Sequence, residues 1–192
     1  HMEPDARARG RWCLVPSPTV GSGVILACGP KDAPVYAVKA GGTGTLSHKS
    51  LAWQSHVQAT DDAAEAAPSQ NIRELTTDVP TPLFYEGKFY ILNGRKRKLY
   101  CVNPADGAVV WSGDLGSKSD YQCSPTAADG KIYVMNFNAD VSVIQAGGSE
   151  FKLLHTANFK DDGDATRHRS SVAISQGNLF LRTGTKLFAL GK

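Results

Sequence analysis

Long apolar runs are missing from this chain. The longest, such as Val24 to Cys28, are four or five residues, so nothing in it spans a bilayer as a helix and no secretory leader is visible. Cysteine is scarce, four in 192 residues, and Cys13, Cys28, Cys101 and Cys123 show neither a Cys-x-x-Cys spacing nor a histidine at a zinc-ligand interval, which argues against a metal site. Each lies in an apolar, strand-like run, so the four are read as buried thiols rather than disulfides, and the redox compartment stays open. An excess of one charge is also missing. The net charge is +3, and outside Arg95-Lys96-Arg97-Lys98 the cations are scattered, which argues against nucleic acid as a partner. The five histidines (His1, His48, His56, His155, His168) have no carboxylate or nucleophile at a telling interval, and there is no Gly-x-Ser-x-Gly elbow or phosphate-binding glycine loop. No catalytic constellation is legible.

What is present is a repeat. Ser17, Thr81, Ser124 and Ser171 each stand six positions before a glycine: Gly23, Gly87, Gly130 and Gly177. An apolar run follows each glycine, as in Lys88-Phe89-Tyr90. Ten to twelve residues beyond the glycine comes a second run: Val35-Tyr36-Ala37-Val38, Leu99-Tyr100-Cys101-Val102, Val141-Ser142-Val143-Ile144 and Leu187-Phe188-Ala189-Leu190. These β-branched and aromatic runs, parted by turn residues, read as alternating antiparallel strands. The second copy continues through Asn103-Pro104-Ala105-Asp106-Gly107 into Ala108-Val109-Val110-Trp111. The third continues into Phe151-Lys152-Leu153-Leu154, and the first into Leu51-Ala52-Trp53. The unit is a four-stranded meander.

Meanders recurring at about 40 to 50 residues are the mark of β-propeller blades. The longer first interval is assigned to an exposed insertion, residues 58–70. A sandwich would not carry such internal self-similarity. The expected class is all-β, with blades at about 12–57, 73–115, 120–160 and 167–192 in a single domain of residues 1–192.

The stretch "LYCVNPADGAVVW", with the small-residue-to-glycine spacing, resembles the PQQ-like (quinoprotein-type) β-propeller repeat. The resemblance covers nearly the whole chain from Trp12 onward. It implies that Trp111, with Gly107, docks one blade on the next, a structural role also assigned to Trp53. It implies a ring of seven or eight blades, so these four read as the C-terminal half of a larger propeller, either an open half ring or one that a second copy completes as an eight-bladed homodimer. His1-Met2 reads as a cloning remnant of an excised piece. The last copy stops after its third strand, and in such propellers a strand from the other chain end, here Ala6 to Leu14, closes the last blade.

The same resemblance places the segments leading into each first strand around one face. Arg11, Trp12, Arg73, Asp120, Tyr121, Arg167, His168 and Arg169 are therefore the candidate ligand-binding residues, a funnel of cations and aromatics suited to an anionic ligand such as a carboxylated quinone or an acidic glycan. The bland alternative is a set of solvated loop residues. Catalytic quinoproteins carry a vicinal cysteine pair and Ca²⁺ ligands beside an aspartate base, and neither is visible here. Asp161-Asp162-Gly163-Asp164 lacks the spacing of a calcium loop and reads as a surface turn. Arg95 to Lys98 reads as solvated, with phosphate or anionic lipid as a conceivable contact. The expectation is a non-catalytic scaffold for a protein or glycan partner, outside the cytoplasm, with no cofactor, no metal and no membrane span. The alternatives are part of a PQQ-dependent dehydrogenase, with calcium and quinone, and an outer-membrane assembly lipoprotein.

Overall fold

The computed structural model describes residues 14–29, 32–57, 70–161 and 163–191. Arg11, Trp12, Cys13, most of the expected closing strand and all of the expected insertion except Gln70 lie outside them. Fifteen strands form four antiparallel sheets among the described residues. Blade 1 is β1 (Thr19–Gly21), β2 (Val24–Cys28), β3 (Val35–Lys39) and β4 (Leu51–Gln54); blade 2 is β5 (Leu83–Tyr85), β6 (Lys88–Asn93), β7 (Lys98–Val102) and β8 (Val109–Asp114). Blade 3 is β9 (Thr126–Ala128), β10 (Lys131–Met135), β11 (Asp140–Gln145) and β12 (Leu153–Asn158), and blade 4 has three strands, β13 (Ala173–Ser175), β14 (Asn178–Arg182) and β15 (Leu187–Leu190). The outer strand of blade 3 begins at Leu153, two residues later than the sequence reading.

The repeat has a physical cause at each end of its six-residue spacing. At the far end, Ser22-Gly23, Glu86-Gly87, Asp129-Gly130 and Gln176-Gly177 all have positive φ at both positions. They join strands paired through the residues on either side, such as Gly21 with Val24 and Tyr85 with Lys88. That is a type I′ hairpin, whose second central position favours glycine. At the near end, the small residue makes the contact between blades. The Ser17 N–H donates to the Thr81 hydroxyl (3.0 Å), the Thr81 N–H to that of Ser124 (2.9 Å) and the Ser124 N–H to that of Ser171 (2.9 Å). The innermost strand is therefore pinned to its hairpin at one end and to the next blade at the other.

Strands between two blades bury both faces, so their sequences are continuously apolar where the sequence reading expected alternation. In β6, Phe89 and Ile91 pack towards blade 1 with Val24, Leu26, Val35, Ala37 and Trp53, while Tyr90 and Leu92 join blade 3 residues such as Ile132 and Val134. Each such fully buried side chain contributes about 1.5–3 kcal/mol. The three complete blades share a register shift in the third strand, at Ala37/Val38, Cys101/Val102 and Val143/Ile144, opposite the start of the outer strand. A bulge there bends the outer strand and strengthens its twist.

Two indoles join blades at their outer edges. The Trp53 Nε1–H donates to the Pro104 carbonyl (2.8 Å), and its ring lies where a Cβ on Gly107 would stand, 2.5 Å from Cδ2. The Trp111 Nε1–H donates to the Gly147 carbonyl (2.9 Å), and its ring meets Tyr90 and Phe151 at 5.8 and 5.6 Å. The same register position in blade 3 holds His155, which is exposed.

Candidate functional site

The loops that enter each new blade and the turns between second and third strands come together on one side of the molecule. Each entering loop clamps the turn of the blade before it. The Thr76 hydroxyl donates to the Ala33 carbonyl (2.7 Å), the Tyr121 N–H to that of Gly94 (3.1 Å) and the His168 N–H to that of Phe137 (3.1 Å). The candidate residues Asp120, Tyr121, Arg167, His168 and Arg169 thus sit on the clamps.

The clamps divide these residues in two. Tyr121 and His168 are buried, so they hold the loops and do not line a surface funnel. His168 Nδ1 is 2.9 Å from the Phe137 carbonyl, and Nε2 is 3.0 Å from an Asp164 carboxylate oxygen, so both ring nitrogens face oxygens that accept. The Gly184 N–H points at the same carboxylate oxygen (3.2 Å). This corrects two sequence readings. His168 does have a carboxylate at a telling interval, four residues earlier, and Asp164 is buried rather than part of a surface turn. The Thr166 hydroxyl and N–H, with His168 and Gly184, hold the Asp164 carboxyl well below the usual carboxylate range.

That shift fixes the sign of a pH effect. A carboxyl depressed in the folded state stabilises fully above its unfolded value, near pH 4, and loses that contribution as pH falls towards the folded value. Thermal midpoints measured between pH 5 and pH 3 will fall more steeply for the natural protein than for Asp164→Asn, which keeps the shape and removes the titration. Parallel slopes would contradict the assignment.

The remaining described candidates are Asp120, which is half-buried and pairs with Arg97, and three exposed arginines. Arg167 and Arg169 lie over the ring of Phe137, with guanidinium carbons 5.7 and 5.8 Å from its centroid, an arrangement in which the ring quadrupole attracts both. Arg73 is exposed on the loop entering blade 2. The cationic turn is not merely solvated, as the sequence reading had it. Arg95 pairs with Asp78 (3.6 Å), Arg97 with Asp120 (3.0 Å) and Lys98 with Glu74 (3.7 Å), all from entering loops. On the same side Asp161 pairs with Lys186, which together with Thr185 lowers its carboxyl pKa. Among the described residues, Glu74, Asp78, Asp120, Asp161 and Asp164 of these loops are thus engaged internally. Arg73, Arg167 and Arg169 form no ion pair among the described residues and remain as cations facing water.

Phe137 was not a sequence candidate, although it stands in the turn that His168 clamps. His56 is buried too and has internal duties: Ser55 Oγ lies 3.1 Å from its Nδ1, and the Asp32 carbonyl 3.0 Å from its Nε2. With both nitrogens of His56 and of His168 engaged, neither ring offers a free lone pair to a substrate. Cys101 and Cys123 are buried free thiols on different strands or loops, pushed up to about 11 and about 12 by burial, and they do not form the vicinal pair of a quinone site.

Four-stranded blades docked indole to glycine turn, with loops clamped on one face, define a β-propeller of PQQ-like repeats. The family model described as outer membrane protein assembly factor BamB matches residues 17–191, and the chain belongs to that family. Among solved structures, it is similar to BamB from Moraxella catarrhalis, at 10% identity and TM-score 0.59 over 91% of this chain and 44% of that one. It is similar to the quinohemoprotein alcohol dehydrogenase of Comamonas testosteroni, at 13% identity and TM-score 0.51 over 77% of this chain and 21% of that one. It also matches the computationally designed Ika4 protein, at 10% identity and TM-score 0.60 over 95% of both chains. The chain thus spans less than half of the BamB that it matches. A comparison with curated proteins finds no match. Likeness at these identities speaks for the fold; function has to be argued from the site.

Proposed function

We propose that this chain is a non-catalytic binding module that takes an acidic protein segment on its loop face, outside the cytoplasm. The observation that carries the reading is the Arg167–Phe137–Arg169 group: two exposed guanidiniums on one ring, while Asp120 and Asp164 are paired elsewhere. Guanidinium forks recognise carboxylates by paired, charge-assisted hydrogen bonds, and the half-buried ring supplies an apolar floor beside them. Arg73 is a further exposed cation, on the loop entering blade 2. The description of the family as an assembly factor favours a protein partner over a small substrate. The engaged histidines favour binding over catalysis.

The test is a fluorescence-anisotropy titration with a labelled glutamate-rich peptide and a neutral peptide of equal length. The natural chain binds the acidic peptide saturably and the neutral one poorly. Arg167→Ala/Arg169→Ala, with unchanged circular dichroism, weakens binding by about tenfold or more, because charge-assisted hydrogen bonds are worth roughly 1.5–3 kcal/mol each. Equal affinity in the double variant would refute the assignment of the site.

A further inference from the structure

The hydroxyl ladder between blades has two unused ends, and they are complementary. Ser17 gives its N–H to blade 2, while its own hydroxyl, the group that accepts in Thr81, Ser124 and Ser171, has no partner among the described residues. Ser171 accepts from blade 3, while its N–H, the group that donates in the other three, has none among the described residues. No bond joins Ser171 back to Ser17. The inner members Thr81 and Ser124 are half-buried, whereas Ser17 and Ser171 are exposed.

The sheet faces beside those ends are open in the same sense. Thr19 and Gly21 face blade 2: the Thr19 hydroxyl donates to the Pro82 carbonyl (2.7 Å), and the Phe84 ring occupies the place of a Gly21 side chain. Val20, between them, faces the other way and is 64% exposed. In blade 4, Ile174, Leu179, Leu181 and Phe188 pack onto blade 3. The alternate positions, among them Leu187, point away, and Leu187 is 70% exposed. Exposed apolar residues at both ends of one ladder are what a blade lacking its neighbour presents.

We infer that a second copy of this chain occupies both ends, the Ser171 N–H of each copy donating to the Ser17 hydroxyl of the other and Leu187 of each packing near Val20 of the other. The contact joins two different patches, but under a twofold axis it occurs twice and closes, leaving no free end. Length agrees with the geometry: 91% of this chain matches 44% of the Moraxella catarrhalis BamB chain, so two copies cover about the extent of that fold. Each junction continues an interface already made three times within one copy. The inference is independent of what binds the loop face.

Light scattering after size exclusion, across a dilution series, reads the result. The expected mass is twice 20.5 kDa. Leu187→Glu and, separately, Val20→Glu should reduce it to 20.5 kDa with unchanged circular dichroism, since both side chains are exposed within one copy. Ser17→Ala, which keeps the bond from its own N–H to Thr81, should raise the dimer dissociation constant by roughly three- to tenfold, as the loss of one hydrogen bond predicts. A monomer throughout would overturn the inference and assign the ends to other blades. A dimer indifferent to both glutamate variants would place the interface elsewhere, and open higher oligomers would contradict closure. Should one glutamate variant unfold, the other still decides.

Discussion

Gly107→Ala will destabilise the protein by about 3 kcal/mol, although the change adds a single methyl group. Gly107 has φ +74°, where alanine is strained, and a Cβ there would stand 2.5 Å from the Trp53 indole, which is fully buried. The ring cannot withdraw without giving up its bond to the Pro104 carbonyl and opening the joint between blades 1 and 2. Gly147→Ala is the matched comparison. Its φ is +66°, but a Cβ there would come no closer than 4.0 Å to the Glu86 carboxylate, so it bears the backbone strain alone and costs roughly 1–2 kcal/mol. Urea unfolding of both variants measures the difference. Equal losses would mean that Trp53 yields and does not dock rigidly on the turn.

Trp111→Ala will cost about 3–5 kcal/mol, or roughly 10 °C in thermal midpoint for a chain of this size. The indole fills the joint between blades 2 and 3, touching Tyr90 and Phe151, and its N–H satisfies the Gly147 carbonyl. The Tyr90 hydroxyl accepts from the Gly147 N–H (2.7 Å), so the same turn is held from two sides and the cavity has little freedom to collapse. His155→Ala tests whether position or contact matters. It occupies the equivalent register in blade 3 but is exposed, and its loss will stay within about 0.5 kcal/mol. Scanning calorimetry of the two variants would refute the docking account if they fell together.

The blades were legible because the repeat is constrained at both ends. A hydroxyl that bonds the preceding blade and a glycine that makes a type I′ hairpin cannot drift relative to one another, so Ser124 and Gly130 keep the spacing of Thr81 and Gly87. The docking partners Trp111 and Gly107 were legible through resemblance, and their separate contacts show that they belong to different joints: Gly107 receives Trp53, and Trp111 goes to Gly147. The site was legible only as a set of segments. Within Arg167-His168-Arg169 the flanking residues are exposed and the middle one buried, a division set by the bond from His168 to the Phe137 turn and by its pairing with Asp164. Loops have no period from which such inward and outward directions can be read. The pairing of Arg97 with Asp120 joins residues 23 apart in different connections, which adjacency in sequence does not display.

The most direct measurement is the acidic-peptide titration repeated at low and high salt on the natural chain and on Arg167→Ala/Arg169→Ala. Exposed cations act through a screened field, so the account predicts an affinity that falls as salt rises, and a shallower dependence together with weaker binding in the double variant. Binding that ignores both salt and the two arginines would contradict the claim that this cationic loop face is where the propeller meets its partner.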